Sequence, residues 1–200
     1  MKIVIINYGA GNIQSIKFAV RRLGLEAVLS DDAEVIRQAD KVIFPGVGEA
    51  SSAMKKLRAS GLDAVVPTLK QPVLGICLGM QLMCRSSKEG HTTGLGIFDV
   101  DVLRFGVLKA PNSMGLKIPQ IGWNQIFNLK SQLFEGIDEK DHIYLVHSFY
   151  APLCEATIAE SEYGMKYSAA LKKDNFYGTQ FHPEKSSAAG AMILSNFIKL

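Results

Sequence analysis

Apolar and polar positions alternate in an order that predicts three strand–helix units in the first half of the chain. Short apolar runs at 2–7, 41–44 and 73–76 have the length of buried strands. Each run is followed by a turn and then by apolar residues at helical spacing. These are Ile13, Ile16, Val20 and Leu23 in the first unit, Ala50, Met54 and Leu57 in the second, and Leu78, Leu82 and Met83 in the third. The chain therefore begins as a series of βα units.

The pattern changes after residue 96, where strand-type segments follow one another. Residues 85–96 are polar and glycine-rich, which predicts a surface loop. Strands are expected at 97–105, 121–127, 143–149, 156–161, 167–171 and 175–181, and a helix at 187–198. Three βα units followed by a strand-rich half predict an α/β protein with one domain over residues 1–200. The expected architecture is a three-layer α/β/α sandwich with a mostly parallel central sheet plus antiparallel hairpins.

Composition narrows the class of protein. With 200 residues, 48% hydrophobic and 20% charged, the chain has the make-up of a soluble globular domain. Its net charge of +3 is mild, and the basic cluster Lys55, Lys56 and Arg58 is more typical of a solvated helix face than of a nucleic-acid site. The apolar runs are far shorter than the roughly 18 residues of a membrane span. We therefore expect neither nucleic acid nor a membrane as partner.

Cysteine use and the amino terminus indicate where the protein works. Cys77, Cys84 and Cys154 are odd in number and lack metal-ligand spacing, so neither a disulfide framework nor a metal site is expected. Met1 and Lys2 lead directly into the first strand without a signal-peptide pattern. The expected location is the reducing cytoplasm.

Cys77 is the first candidate for chemistry because it lies at a predicted strand-to-helix turn. Gly75 and Gly79 flank it in a G-x-C-x-G pattern, the thiol form of the nucleophile elbow. Backbone N–H groups at such a turn favour a thiolate, and the Leu78 N–H is placed to stabilise a developing oxyanion. The alternative is that Cys77 is a small buried residue at a tight turn.

A second candidate site follows the last predicted strand. Pro183 favours an extended conformation for His182, so His182 and Glu184 face the same side of the chain. The carboxylate can then hold one imidazole nitrogen while the other takes a proton, as in a nucleophile–base–orienter triad. A structural histidine is the alternative for this motif alone. The strand that ends at Cys77 and the strand that precedes His182 are expected to end at the same edge of the sheet. This favours one site that contains both Cys77 and the His182–Glu184 pair.

Two glycine-rich turns are also candidates for ligand binding. In 45–49, Gly46 and Gly48 surround Val47, so a peptide N–H can be turned towards a ligand at the strand's carboxyl end, although a plain βα turn is the alternative. In 9–14, two glycines and Asp31 resemble part of a dinucleotide motif. Because the third glycine position holds Gln14, this pattern does not predict nucleotide binding.

Together these motifs resemble those of the class I, or triad, glutamine amidotransferases, and the likeness covers essentially the whole chain. The motifs are Gly-Ile-Cys-Leu-Gly-Met-Gln-Leu at 75–82 and Phe-His-Pro-Glu at 181–184, supported by 45–48, 121–124 and 146–149. Within the family the likeness is strongest to the glutaminase subunits of imidazole glycerol phosphate synthases. It implies a flavodoxin-like fold, hydrolysis of L-glutamine to glutamate and ammonia, and no cofactor.

The resemblance also implies a role for each matching residue. Cys77 attacks the glutamine side-chain amide, His182 shuttles the proton and Glu184 orients His182. The peptide of Val47 joins the Leu78 N–H as the second oxyanion donor. Glutamine-binding residues are Gly48, Gln81, Glu89, Ser148 and Phe149. Residues towards the partner, which govern ammonia passage, are Trp123, Tyr144 and Lys185.

The implied partner is a (β/α)8-barrel cyclase subunit, which forms a heterodimer with the glutaminase and receives the ammonia. Gln120 departs from the family, which often has histidine at this position. This departure leaves open a paralogue that serves a different synthase, such as one that makes nitrogen-containing surface sugars. The other interpretations are a stand-alone thiol hydrolase and a non-enzymatic binding subunit.

Overall fold

The computed structural model describes residues 1–106 and 116–200 and alternates strands with helices through the first half of the chain. The helices are α1 (Ile13–Arg22), α2 (Ala33–Arg37), α3 (Ala50–Ala59), α4 (Leu62–Val65), α5 (Leu78–Met83) and α6 (Ser187–Lys199). The strands are β1 (Ile3–Ile6), β2 (Ala27–Ser30), β3 (Lys41–Gly46), β4 (Val73–Cys77), β5 (Cys84–Ser87), β6 (Thr92–Thr93), β7 (Phe98–Arg104), β8 (Gln120–Gln125), β9 (His142–His147), β10 (Phe149–Tyr150), β11 (Thr157–Glu162), β12 (Lys166–Lys173) and β13 (Phe176–Thr179).

A seven-stranded sheet in the order β11-β12-β13-β4-β3-β1-β2 forms the centre of the fold. The five strands from β13 to β2 run parallel, and β12 and β11 are added antiparallel at one edge. A four-stranded sheet, β10-β7-β5-β6, and the hairpin of β8 and β9 lie outside it. The predicted α/β class, with a mostly parallel central sheet and antiparallel strands, is confirmed.

The core is divided by the central sheet because successive strand residues face opposite sides. In β1, Val4 packs in the cluster that contains α3 and α5, whereas Ile3 and Ile5 pack in the cluster that contains α1 and α6. Val73 and Leu74 of β4 divide in the same way. Both faces of the sheet are therefore covered, which explains why these parallel strands are continuous apolar runs.

Several segments differ from the sequence-based expectations. The stretch 85–96 is wrong as a surface loop, because β5 pairs parallel with β7 and antiparallel with β6. Arg85 is exposed and bonded to Asp99 and Asp101, whereas Ser87 and Thr92 are buried. The expected strand 143–149 is broken at Ser148 into β9 and β10, which join different sheets. The strand β2 and the helix α2 were not predicted, because β2 is a sheet edge and α2 buries only Ile36.

None of the helices in the described residues combines the length and the apolar character that crossing a membrane requires.

Candidate active site

Cys77 occupies the sharp turn between β4 and α5. Its backbone has φ +53° and ψ −111°, a conformation that is rare for a residue with a side chain. The flanking glycines allow α5 to lie directly against the sheet, because a Cβ at Gly79 would come within 2.0 Å of the Phe44 carbonyl oxygen. A Cβ at Gly75 would meet the Met83 side chain at 2.3 Å. The strand-to-helix turn expected from the sequence is therefore present.

His182 and Glu184 lie together in the segment that follows β13. The His182 Nδ1 atom is 2.8 Å from Glu184 Oε1, and both side chains are buried. Burial alone lowers the pKa of His182, but hydrogen bonding and charge from Cys77 and Glu184 outweigh it and raise the pKa to about 10. The ring therefore holds a proton at neutral pH, and that proton is available to a leaving group.

A cavity of about 310 Å³ joins these two segments at the carboxyl edge of the sheet. Its size suits an amino acid rather than a large cofactor. The lining residues are Val47, Gly48, Cys77, Leu78, Gln81, Glu89, Pro119, Val146, His147, Ser148, Phe149 and His182. The structure thus brings together in one cavity nine of the residues singled out from the sequence, with Glu184 bonded behind His182.

The turn after β3 forms one wall of the cavity. Gly46 pairs in register with Cys77, and Gly48 has φ +95°, which only glycine adopts readily. The Tyr8 hydroxyl donates a 2.8 Å hydrogen bond to the Pro45 carbonyl oxygen. A Cβ at Gly11 would approach the Pro45 side chain to 2.9 Å. The glycine loop near the amino terminus therefore packs against the end of β3.

Two other polar side chains that line the cavity are already hydrogen-bonded to the protein. The Gln81 Nε2 atom donates to the Phe149 carbonyl oxygen at 3.0 Å. The Glu89 Oε2 atom accepts from the Ala50 N–H at 2.8 Å, which connects Glu89 to the start of α3. Burial raises the pKa of Glu89, and the bond from Ala50 opposes that shift. These contacts fix the directions in which Gln81 and Glu89 face the cavity.

The "Glutamine amidotransferase class-I" family model matches residues 4–200. The chain belongs to the class I glutamine amidotransferase family. It is 56% identical over 200 residues to an imidazole glycerol phosphate synthase subunit HisH of Bacteroides fragilis, and 54% identical to that of Bacteroides thetaiotaomicron; both alignments cover 100% of each chain. A crystal structure of a putative GMP synthase protein from Thermoplasma acidophilum is similar in fold, with a TM-score of 0.73, 21% identity, and coverage of 100% of this chain and 92% of that one.

Three amidotransferase residues that were expected to face the partner form a cluster beside the cavity. The Trp123 and Tyr144 rings are 6.0 Å apart in an edge-on arrangement, and Tyr144 lies 6.5 Å from the His182 ring. The Lys185 Nζ atom stands 5.7 Å from the centre of the Tyr144 ring. Trp123 is 51% exposed, so the cluster leads from the buried histidine to the protein surface.

Gln120, which was expected to depart from the family pattern, points inward. It is 3% exposed and pairs with His147 across β8 and β9. Its Oε1 atom accepts from the Tyr167 hydroxyl at 3.0 Å. The Gln120 side chain is therefore packed against Tyr167, while the residue also borders the surface pocket that Trp123 lines.

Sequence reasoning missed three residues that support this amidotransferase site. They are Tyr8 against Pro45, His147 beneath the Ser148–Phe149 turn, and Gln180 beside Cys77. The Tyr8 contact joins segments that are 37 residues apart, and no spacing in the sequence indicates it. The His147 contact is local and lies within the motif at 146–149, but the motif alone gave no role to the imidazole. Gln180 had a signal: the alternation that places His182 and Glu184 on one side also includes the residue two positions earlier.

Proposed function

We propose that this chain is the glutaminase subunit of an imidazole glycerol phosphate synthase. In this role it hydrolyses L-glutamine to glutamate and ammonia. The observation that carries the proposal is identity of more than half of all residues, over the full length of both chains, to two proteins with that name. The cavity that joins Cys77 to the His182–Glu184 pair supports the reaction.

The proposed reaction has two halves. The Cys77 sulfur attacks the side-chain carbonyl carbon of glutamine, and the carbon–nitrogen bond breaks as His182 gives its proton to the leaving ammonia. The resulting thioester is then attacked by water, from which His182 takes a proton. Glutamate leaves and the Cys77 thiolate is restored. Glu184 keeps the His182 ring in place through both halves.

The backbone around Cys77 would stabilise the negative charge on the carbonyl oxygen in both steps. We assign the Leu78 N–H and the Val47 peptide to this role, because both residues line the cavity next to the sulfur. The glycine at 48 allows the Val47 peptide to change direction. This assignment makes the turn after β3 the part of the site that a partner can control.

The remaining cavity residues would hold the amino-acid end of glutamine. The Gln81 amide donates to the protein, which leaves its oxygen to accept from the substrate ammonium. Glu89 would attract the same ammonium group by charge. We assign the backbone of Ser148 and Phe149 to the substrate carboxylate and include Gly48 among the residues that hold this end of glutamine, because all three line the cavity.

We further propose a (β/α)8-barrel cyclase as partner. Ammonia that escapes into neutral water is protonated and loses its nucleophilicity, so it must reach the second site under cover. The cluster of Trp123, Tyr144 and Lys185 lies next to His182, where this passage would begin. The cyclase would then join ammonia to a phosphorylated ribulosyl-imidazole intermediate and release imidazole glycerol phosphate and AICAR, a step of histidine biosynthesis. The free thiols at Cys77 and Cys84 suit a cytoplasmic location.

Reconstitution with the barrel subunit tests this proposal. The pair should form imidazole glycerol phosphate from either glutamine or ammonia. Cys77→Ala should abolish synthesis from glutamine and leave synthesis from ammonia intact, because only the first reaction needs the thiol. Loss of both would indicate that Cys77 is structural. Glutamine hydrolysis without imidazole product would favour the paralogue, and turnover of another amide without any partner would favour a stand-alone hydrolase.

A further inference from the structure

A hydrogen-bonded series of buried side chains runs from the backbone of Phe149 to the sulfur of Cys77. The Gln81 Nε2 atom donates to the Phe149 carbonyl oxygen at 3.0 Å and to the Gln180 Oε1 atom at 2.9 Å. The Gln180 Nε2 atom then donates to Cys77 Sγ at 3.7 Å. Gln180 is fully buried and Gln81 is 5% exposed, so water does not compete for these bonds.

The donor and acceptor in every hydrogen bond of this series follow from the first bond, between Gln81 and the Phe149 carbonyl oxygen. A backbone carbonyl only accepts, so the end of Gln81 that meets Phe149 is its NH2 group. The same NH2 group meets Gln180, whose oxygen must therefore face Gln81. The Gln180 NH2 group is left to face the sulfur. A hydrogen is thus presented to Cys77 as a consequence of how Phe149 and Gln81 are placed.

The backbone keeps Gln180 at this position. β13 pairs in parallel with β4 up to Thr179 and Ile76. Cys77 is the last residue of β4, and Gln180 directly follows the end of β13. The Gln180 N–H donates to the Ala169 carbonyl oxygen at 2.8 Å, which fastens the segment to β12. Because His182 lies two residues further on, both side chains reach the sulfur from the same segment.

We propose that Gln180 is a further catalytic residue, whose side-chain N–H stabilises the thiolate of Cys77 and couples it to Gln81 at the substrate end of the cavity. This inference rests on the glutaminase function proposed above. A hydrogen bond to an ionised group is stronger than one to its neutral form, so the N–H favours the reactive thiolate. The same bond holds the sulfur at one distance from the carbon that it attacks.

The pH dependence of Cys77 alkylation by iodoacetamide tests the proposal without using glutamine. Gln180→Met keeps the length of the side chain and removes the donor. Gln180→Glu keeps an acceptor for Gln81 but places an oxygen against the sulfur. In Gln180→Met the pH midpoint of alkylation should rise by about one unit, which is a tenfold smaller ratio of thiolate to thiol at a given pH. In Gln180→Glu it should rise by at least as much, because the carboxylate also repels the thiolate. Alkylation is assigned to Cys77 by peptide mass.

Other groups that act on the sulfur remain unchanged in this experiment. They are His182, whose ring is coupled to Cys77, the buried Tyr8 hydroxyl, and the Val146 carbonyl oxygen at 4.0 Å. Thr179→Val is the matched control. Thr179 is next to Gln180, and this change removes a buried hydrogen bond to the Phe181 carbonyl oxygen without altering Gln180. Its alkylation profile should equal that of the unchanged chain.

A wild-type profile in either Gln180 variant overturns the proposal. If Gln180→Met alone shifts the midpoint, Gln180 acts by holding Gln81 and the bond to sulfur has no role. A measurement on the unchanged chain covers the case in which a variant does not fold. The NMR resonance of the Gln180 side-chain NH2 should move with the pH midpoint of Cys77 alkylation, and a resonance that stays constant contradicts the proposal. Failure of glutamine hydrolysis in the unchanged chain would instead count against the proposed function.

Discussion

The His182 ring and the Glu184 carboxylate form a buried pair with 2.8 Å between Nδ1 and Oε1. This contact determines which ring nitrogen carries its hydrogen towards the carboxylate, and it leaves the other nitrogen for the sulfur side. The remaining carboxylate oxygen, Oε2, is buried and has no hydrogen-bond partner among the described residues. All of the hydrogen bonding that Glu184 makes there is thus directed at the ring.

Glu184→Gln should therefore lower kcat for glutamine hydrolysis by at least about a hundredfold, because an amide can hold the wrong tautomer and carries no charge to balance the protonated ring. The KM for glutamine should change little, since Glu184 does not line the cavity. Steady-state kinetics of the complex measure both constants. Glu162→Gln, which alters an exposed carboxylate, is the control and should retain full activity.

The turn after β3 should make the rate of glutamine hydrolysis depend on the partner subunit. Adding the barrel subunit with its ligand should raise kcat for glutamine hydrolysis by about a hundred- to a thousandfold, the value of one oxyanion donor. Val47→Pro has no N–H at this position, so its rate should stay at the level of the isolated subunit. Equal rates with and without the partner would show that the turn is already complete.

His147 predicts a loss of stability in mild acid. The His147 Nδ1 atom donates to the Phe149 carbonyl oxygen at 2.7 Å, and burial lowers the pKa of the His147 ring to about 4. The folded state thus binds fewer protons than the unfolded state between about pH 6.5 and 4, so stability declines as the pH falls through this range. A single group of this kind removes about 2 kcal/mol of unfolding free energy between pH 7 and 5.

Urea unfolding at several pH values measures this effect. His147→Asn is the comparison, because its side-chain NH2 can replace the donor to Phe149 while it does not titrate. Its unfolding free energy should decline less between pH 7 and 5 than that of the unchanged chain. Identical declines in the two proteins would assign the acid sensitivity to other groups.

A methyl group at Gly79 should lower the stability of the fold through steric conflict alone. Gly79→Ala would place a methyl group 2.0 Å from the Phe44 carbonyl oxygen, so α5 and β3 must move apart. The expected cost is about 1–3 kcal/mol of unfolding free energy, measured by urea denaturation. Gly106→Ala, with open space around the added carbon, should stay within about 0.5 kcal/mol of the unchanged chain.

Local sequence signals predicted the parts of the site that short segments determine. The turn at Cys77 follows from its flanking glycines, and the pairing of His182 with Glu184 follows from alternation in an extended segment. The other contacts of the site depend on which strands are neighbours in the sheet and on their register. Gln180 reaches Cys77 only because β13 enters the sheet beside β4, and the chain supplies no marker of that neighbour.

The strand at 84–87 and the break at Ser148 were missed for a related reason. In β5 the ends, Cys84 and Ser87, are buried and the middle residues are more exposed, so the segment has neither the alternation nor the apolar run of a typical strand. Ser148 interrupts an otherwise continuous strand pattern because β10 pairs with β7 in another sheet. Both features depend on contacts with distant strands, which override local preference.

The neighbouring positions of β4 and β13 have a consequence for the chain during its synthesis. In the proposed mechanism the thiol of Cys77 leaves the ribosome about a hundred residues before its base, His182, and β13 is the last strand to be made. An unfinished polypeptide therefore carries the nucleophile without the group that activates it. With the roles proposed for Cys77 and His182, glutamine would be hydrolysed only by molecules in which β13 has been made and has joined β4.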